Sequence, residues 1–229
     1  MTDAIRGYAR RNPSMSGVGG EISPWVNRAG SGIFVPQTQA LIAAGYGFSV
    51  TVGALTTPIA GGGAGTILDQ DQSELLISVP SGTAIQVFNT RVAAEVPADQ
   101  DADVQEILIA VDRTAAMVTF STGTVETPQN LRSDQPRASL CSVQSANTGN
   151  HTNPTLGIEL ARKQMVTNLL TAGITQGIFE LIYQPKVVPI IVGPAQFIVY
   201  WGGTQAMSAY CVAEWVEMPE ELNMLWGGS

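Results

Sequence analysis

The apolar residues of this chain come in short runs, and nearly every run is closed by proline or glycine. "GFSVTVGAL" (47–55), "SELLISVP" (73–80), "TAIQVFNTRVAAEVP" (83–97), "GIFELIYQP" (177–185), "KVVPIIVGP" (186–194), "AQFIVYWGG" (195–203) and "AMSAYCVAEWVEMP" (206–219) share this punctuation. Proline lacks the N–H that a strand ladder needs, so each run ends as a short strand rather than continuing as a helix. The spacing predicts an all-β protein with eight to ten strands. Strands this short and this closely spaced favour an antiparallel β-sandwich, of jelly-roll type, over an alternating βαβ fold. No fixed-period repeat is present, which argues against a propeller or a solenoid.

The stretch 73–113 divides into three strands, at about 74–80, 83–96 and 103–112. "PSG" breaks the first from the second, and the acidic "PADQDAD" separates the second from the third. The middle strand poses a problem of phase. Ile85 and Val87 share one face, whereas Phe88, Val92, Ala94 and Val96 share the other. A β-bulge at Val87–Phe88 would shift the phase by one and keep a single buried face. Without a bulge, one face would need a neighbouring subunit to cover Phe88 or Val92.

Around these strands the organisation is simple. Residues 1–34 are rich in Gly, Ser, Arg and Pro, show no period, and read as an extended N-terminal arm anchored by residues such as Trp25. "VPQTQALIAAGYG" (35–47) offers one or two helical turns that stop at Gly45. "TLGIELARKQMVTNLLTAG" (155–173) has Ile158, Arg162, Met165 and Leu169 at spacings of three and four, which predicts a helix inserted between strands. Residues 35–219 then form one sandwich domain. The tail 220–229 carries Leu222, Met224, Leu225 and Trp226, apolar residues that require a partner surface.

Charged residues make up 13% of the 229, against about 25% in ordinary domains. A surface so poor in charge suits a protein packed against copies of itself. The net charge of −8 argues against a general nucleic-acid binder. Arg6, Arg10 and Arg11 form a short basic arm that could touch nucleic acid or an anionic lipid surface, although three charges make a weak patch. Cys141 and Cys211 belong to no CxxC, and spacing leaves their pairing open. No run reaches the ~18 apolar residues of a membrane helix, and the start lacks an apolar signal core, so the expectation is a protein made and kept in the cytoplasm.

The search for chemistry finds no catalytic constellation. The single histidine, His151, sits in a Gly/Asn/Thr/Pro loop without a nucleophile elbow elsewhere, and it cannot furnish a histidine-rich metal site alone. "GGGAGT" (61–66) lacks the lysine of a phosphate loop. Asp99, Asp101 and Asp103 have the spacing of a calcium loop, but Val104 and Ala110 stand where an EF-hand needs Gly and Glu. A looser calcium site helped by Glu106 is the minor reading, and a solvated loop whose charges guard strand edges is the major one. Asp69, Asp71 and Glu74 form a similar group. The expectation is no enzyme and no cofactor.

The order of "VPSGT", "QEILIAVDRTAA", "NLRSDQP", "VVPIIVGPAQFIVYW" and "AYCVAEWVEMP" resembles the capsid proteins of icosahedral, tailless bacterial and archaeal viruses, often membrane-containing, that are built from single jelly rolls. The resemblance spans residues 45–218 and rests on pattern rather than a signature motif. It implies a non-catalytic structural virion protein that assembles into a shell in the host cytoplasm. Its partners would be copies of itself, other virion proteins, and an internal membrane or genome reached through the arm. Arg6, Arg10, Arg11, Trp25, Phe88, Val92, Leu225 and Trp226 are the candidate assembly residues. The competing readings are a minor capsid, spike or tail component, and a carbohydrate-binding or adhesive β-sandwich. An enzyme on a β scaffold, a glycosidase or a cupin, fits the composition worst.

Overall fold

The computed structural model of the chain describes residues 36–62, 68–95, 104–113, 123–134, 137–147, 156–166, 179–204 and 207–218. In chain order the elements are α1 (Gln37–Ala43), β1 (Gly47–Val52), β2 (Ile59–Ala60), β3 (Leu75–Val79), β4 (Ala84–Glu95), β5 (Val104–Asp112), β6 (Thr124–Glu126) and β7 (Gln129–Asn130). They continue with β8 (Ser142–Ser145), β9 (Leu156–Val166), β10 (Phe179–Tyr183), β11 (Ile191–Val192), β12 (Ala195–Gly203) and β13 (Ser208–Met218). Two antiparallel sheets pack face to face as a sandwich. The first runs β10-β4-β13-β1-β7, with β11 on the edge of β4 and β2 on β13. The second runs β6-β8-β3-β12-β5-β9.

Alternation along the strands builds the shared core. Phe48, Val50 and Val52 of β1 and Ala209, Cys211, Ala213 and Trp215 of β13 meet Ile107, Ile109 and Val111 of β5 and Phe197, Val199 and Trp201 of β12. Fully burying one large apolar side chain contributes about 1.5–3 kcal/mol, and this layer holds more than twenty of them. Phe48 and Trp215 stack with ring centroids 6.0 Å apart.

The phase problem of 83–96 resolves as a β-bulge. Asn89 faces Glu214 and Val87 faces Trp215, so Phe88 is the extra residue on β4. Ile85 and Val87 before it, and Val92 and Ala94 after it, all reach the same core. Phe88 itself turns to the opposite face of the sheet and packs with Leu41, Ala84, Val216 and Met218. The outer face of the second sheet is buried too, through Leu76, Leu108, Ala110, Ile198 and Tyr200. Those strands are therefore apolar on both sides, as "ELLISV" and "EILIAV" suggest.

The helix expected at 155–173 is overturned in its described part. Residues 156–166 form β9, antiparallel to β5. Two register shifts leave Leu160 and Gly157 as extra residues on β9. The shifts break the period of two, so Leu160, Ala161 and Met165 all pack against the core at spacings that imitate a helix. The apolar face and unpaired backbone edge of β5 decide the matter, because β9 satisfies both.

The expected turns before β1 are present as α1. Gly45, at φ 85°, ends the helix in a left-handed conformation. The N–H of Tyr46 donates to Leu41 O and that of Gly45 to Ile42 O, at 2.9 Å each, which satisfies the last carbonyls in a Schellman arrangement. Arg132 Nη1 donates to Ala43 O at 2.6 Å, a cation at the negative end of the helix.

Candidate functional site

Among the described residues, no group of three His, Cys, Asp or Glu is placed to hold a metal ion, and no helix is long and apolar enough to cross a membrane. The buried carboxylates serve the backbone instead. Glu217, on β13, accepts from Ser139 Oγ at 2.5 Å and from Leu140 N at 3.0 Å, and thereby docks the segment before β8 against the sheet. Glu74 accepts from Gly62 N at 2.6 Å and from Trp201 N at 3.0 Å. Burial pushes the Glu74 carboxyl well above its usual range, against the pull of those N–H donors, with repulsion from Asp69 adding to the rise.

Glu106, the residue considered as a helper for calcium, is nearly buried and ion-paired with Arg162, which also holds Glu159 at 2.8 Å. Of Asp69, Asp71 and Glu74, Asp69 Oδ1 accepts from Asp71 N at 3.0 Å as a local turn. Of the "GGGAGT" segment, Gly61 and Gly62 are described. A side chain at Gly61 would collide with Trp201, and Gly62 supplies the donor to Glu74, so both glycines serve packing. Cys141 and Cys211 are free and buried, and burial raises both thiol pKa values far above the ordinary range.

The candidate assembly residues separate. Val92 is a core residue, so the expectation that it contacts a neighbouring subunit is corrected; the bulge turns it inward. Phe88 is half-buried in the cluster on the outer face of the first sheet. Arg6, Arg10, Arg11, Trp25, Leu225 and Trp226 lie outside the described residues, as do Asp99, Asp101, Asp103 and His151.

What the structure brings together is the outer face of the first sheet. Leu41 of α1, Ala84 of β4, and Val216 and Met218 of β13 form one cluster there, with Ile42, Tyr46 and Phe88 against it. Residue 36, which precedes α1, and Met218, which ends β13, therefore flank the same cluster. At its margin, Val192 of β11 pairs with Ala84, and Ala84 pairs with Met218. Val192 is 58% exposed and Val187, in the preceding loop, is 85% exposed. Sequence reasoning passed over Val187, although its place between Pro185 and Pro189, in a run too short to pair, was the available signal.

Comparison with family models, with curated proteins and with solved structures returns no match for this chain.

Proposed function

We propose that this chain is a structural virion subunit, a single jelly roll that self-assembles into a closed icosahedral shell and acts without a catalytic step. The strand order carries the reading. Four consecutive strands of the first sheet run β1-β13-β4-β10, and four of the second run β3-β12-β5-β9. Followed along the chain, β1, β3, β4 and β5 alternate between sheets, β9 stays beside β5, and β10, β12 and β13 alternate again. That sequence of crossings supports a reading as the two-Greek-key winding of a jelly roll, with β6, β7 and β8 inserted between β5 and β9. Supporting it are the charge-poor composition, the meeting of α1 and the end of β13 on one face, and the commitment of buried Glu74 and Glu217 to backbone donors.

On this reading the protein resides in the virion shell. It packs against copies of itself and against other virion proteins, and the arm bearing Arg6, Arg10 and Arg11 meets an internal membrane or the genome. The test is particle size in native lysate, by light scattering and negative-stain microscopy. Closed particles of uniform diameter are the expected result; a monodisperse monomer that binds glycans overturns the proposal.

A further inference from the structure

One edge of the first sheet carries a line of exposed apolar side chains. β10 and β11 lie end to end along the same side of β4: Ile182 faces Arg91, and Val192 faces Ala84. The two positions are seven residues apart on β4, about 23 Å at a strand rise of ~3.3 Å per residue. The excursion 184–190 joins them. Ile182 is 53% exposed, Val187 85%, Ile190 38% and Val192 58%. Four branched aliphatic side chains stand in water on β10, β11 and the excursion that joins them, an exposed apolar strip of the kind that marks a contact surface. The strip is set up for side chains more than for backbone pairing, because Lys163 Nζ already donates to the outward Glu180 carbonyl at 2.6 Å.

We infer that this edge is the docking site for the C-terminal segment 219–229 of a second copy of the chain. The inference rests on the reading of the chain as an assembling subunit. Three observations select that occupant. The segment is apolar where the strip is apolar, through Leu222, Met224, Leu225 and Trp226. Its first charges, Glu220 and Glu221, complement Lys186, the exposed cation within the strip. Its origin fixes its reach: Met218 pairs with Ala84, which pairs with Val192, so the segment leaves the sandwich two strands from the strip. Eleven extended residues span up to about 36 Å, enough to leave one subunit and cover a 23 Å strip on the next. The four side chains stand exposed beside the described residues, and in the proposed assembly a second copy covers them. Such an exchange is head-to-tail unless it is reciprocal, and it closes into a ring or a shell when the rotation between subunits closes.

The test uses the full-length protein, with Val187→Asp, a deletion of residues 220–229, and a split cysteine pair. Val187 is exposed, so Val187→Asp leaves the urea midpoint unchanged while lowering the assembled fraction more than about tenfold, equivalent to more than about 1.4 kcal/mol per contact. The deletion does the same. For the pair, Val187→Cys on one tagged population and Leu225→Cys on a differently tagged one are mixed before assembly and oxidised with copper phenanthroline. The native cysteines are buried and stay silent. A disulfide joining the two tags is the expected product. Variants that assemble like the wild type, or a disulfide found only when both cysteines share one copy, overturn the docking site and leave the shell reading standing. Tag-crossed dimers without shells sustain the docking site and overturn the shell. A wild-type monomer with no crossed product overturns both.

Discussion

Glu217 follows Trp215 on the core side of β13, and it exists there because three donors converge on it. Ser139 Oγ and the N–H groups of Leu140 and Cys141 all point at its carboxylate. Without the acceptor, Cys141 N–H still reaches Ser139 Oγ at 3.0 Å and Ser139 Oγ still reaches Cys141 O at 3.2 Å, so the main loss is the bond from Leu140 N–H and the docking of this segment. Glu217→Ala is therefore expected to cost about 1–2 kcal/mol, read as a lower urea midpoint at unchanged m-value. Glu74 gives a pH signature. Its folded pKa lies above its unfolded value near 4.5 because burial disfavours the charge, so the folded state binds the proton more tightly. Its contribution to stability is fully present below the unfolded pKa and is lost as pH rises through the folded one. The urea midpoint should fall as pH rises from about 4.5 through the raised folded pKa, and Glu74→Gln should flatten that slope while adding a pH-independent loss, since the amide nitrogen cannot accept from one of the two N–H groups. A flat wild-type profile would refute this. The thiols make a simpler case: Cys141 and Cys211 should resist a thiol reagent in the native state and both react once unfolded.

At the scale of the element, β4 shows how one residue governs a whole strand. Phe88 adds little to the core, yet its presence in the bulge sets the facing of Ile85 and Val87 relative to Val92 and Ala94. Phe88→Ala removes half-buried packing on the outer face and should cost about 1–2 kcal/mol. Deleting Phe88 removes the extra residue, so Val87 directly precedes Asn89 and Ile85, Val87, Thr90, Val92 and Ala94 fall on one face by simple alternation. The deletion should therefore cost about as much as Phe88→Ala, the loss of the packing on the outer face. A much lower urea midpoint for the deletion than for Phe88→Ala would show that the bulge itself, and not only the phase it sets, is required. β9 teaches the same lesson from its misreading. Its two extra residues erase the alternation that identifies a strand, and the surviving three- and four-residue spacings are those of an amphipathic helix.

For the whole molecule, the described inner core draws on residues 48–215, with both sheets supplying it. Every described residue of that layer lies after the arm of residues 1–34. Their removal is expected to leave a cooperative urea transition intact while lowering the assembled fraction more than about tenfold, measured by light scattering at fixed protein concentration. Unchanged assembly would refute a role for the arm. α1 and the end of β13 meet at the outer face of the first sheet, in the cluster of Leu41, Phe88 and Met218. The opposite sheet is buried on both faces.

Much of this was written in the chain. Proline and glycine stops placed β1, β3, β4, β5, β10, β12 and β13 because backbone donors and left-handed turns are local matters. The odd phase around Phe88 announced a bulge or a partner. Local pattern could not choose between those two, since the answer depends on what β13 places opposite Phe88. Nor could it place β9, whose strand state is imposed by β5 from about fifty residues away. The order of strands in each sheet, the convergence of α1 and the end of β13 on one face, and the commitment of Glu74 and Glu217 to distant backbone donors belong to tertiary structure alone. Each joins residues far apart in sequence, and only the packed sheets bring those residues within reach of one another.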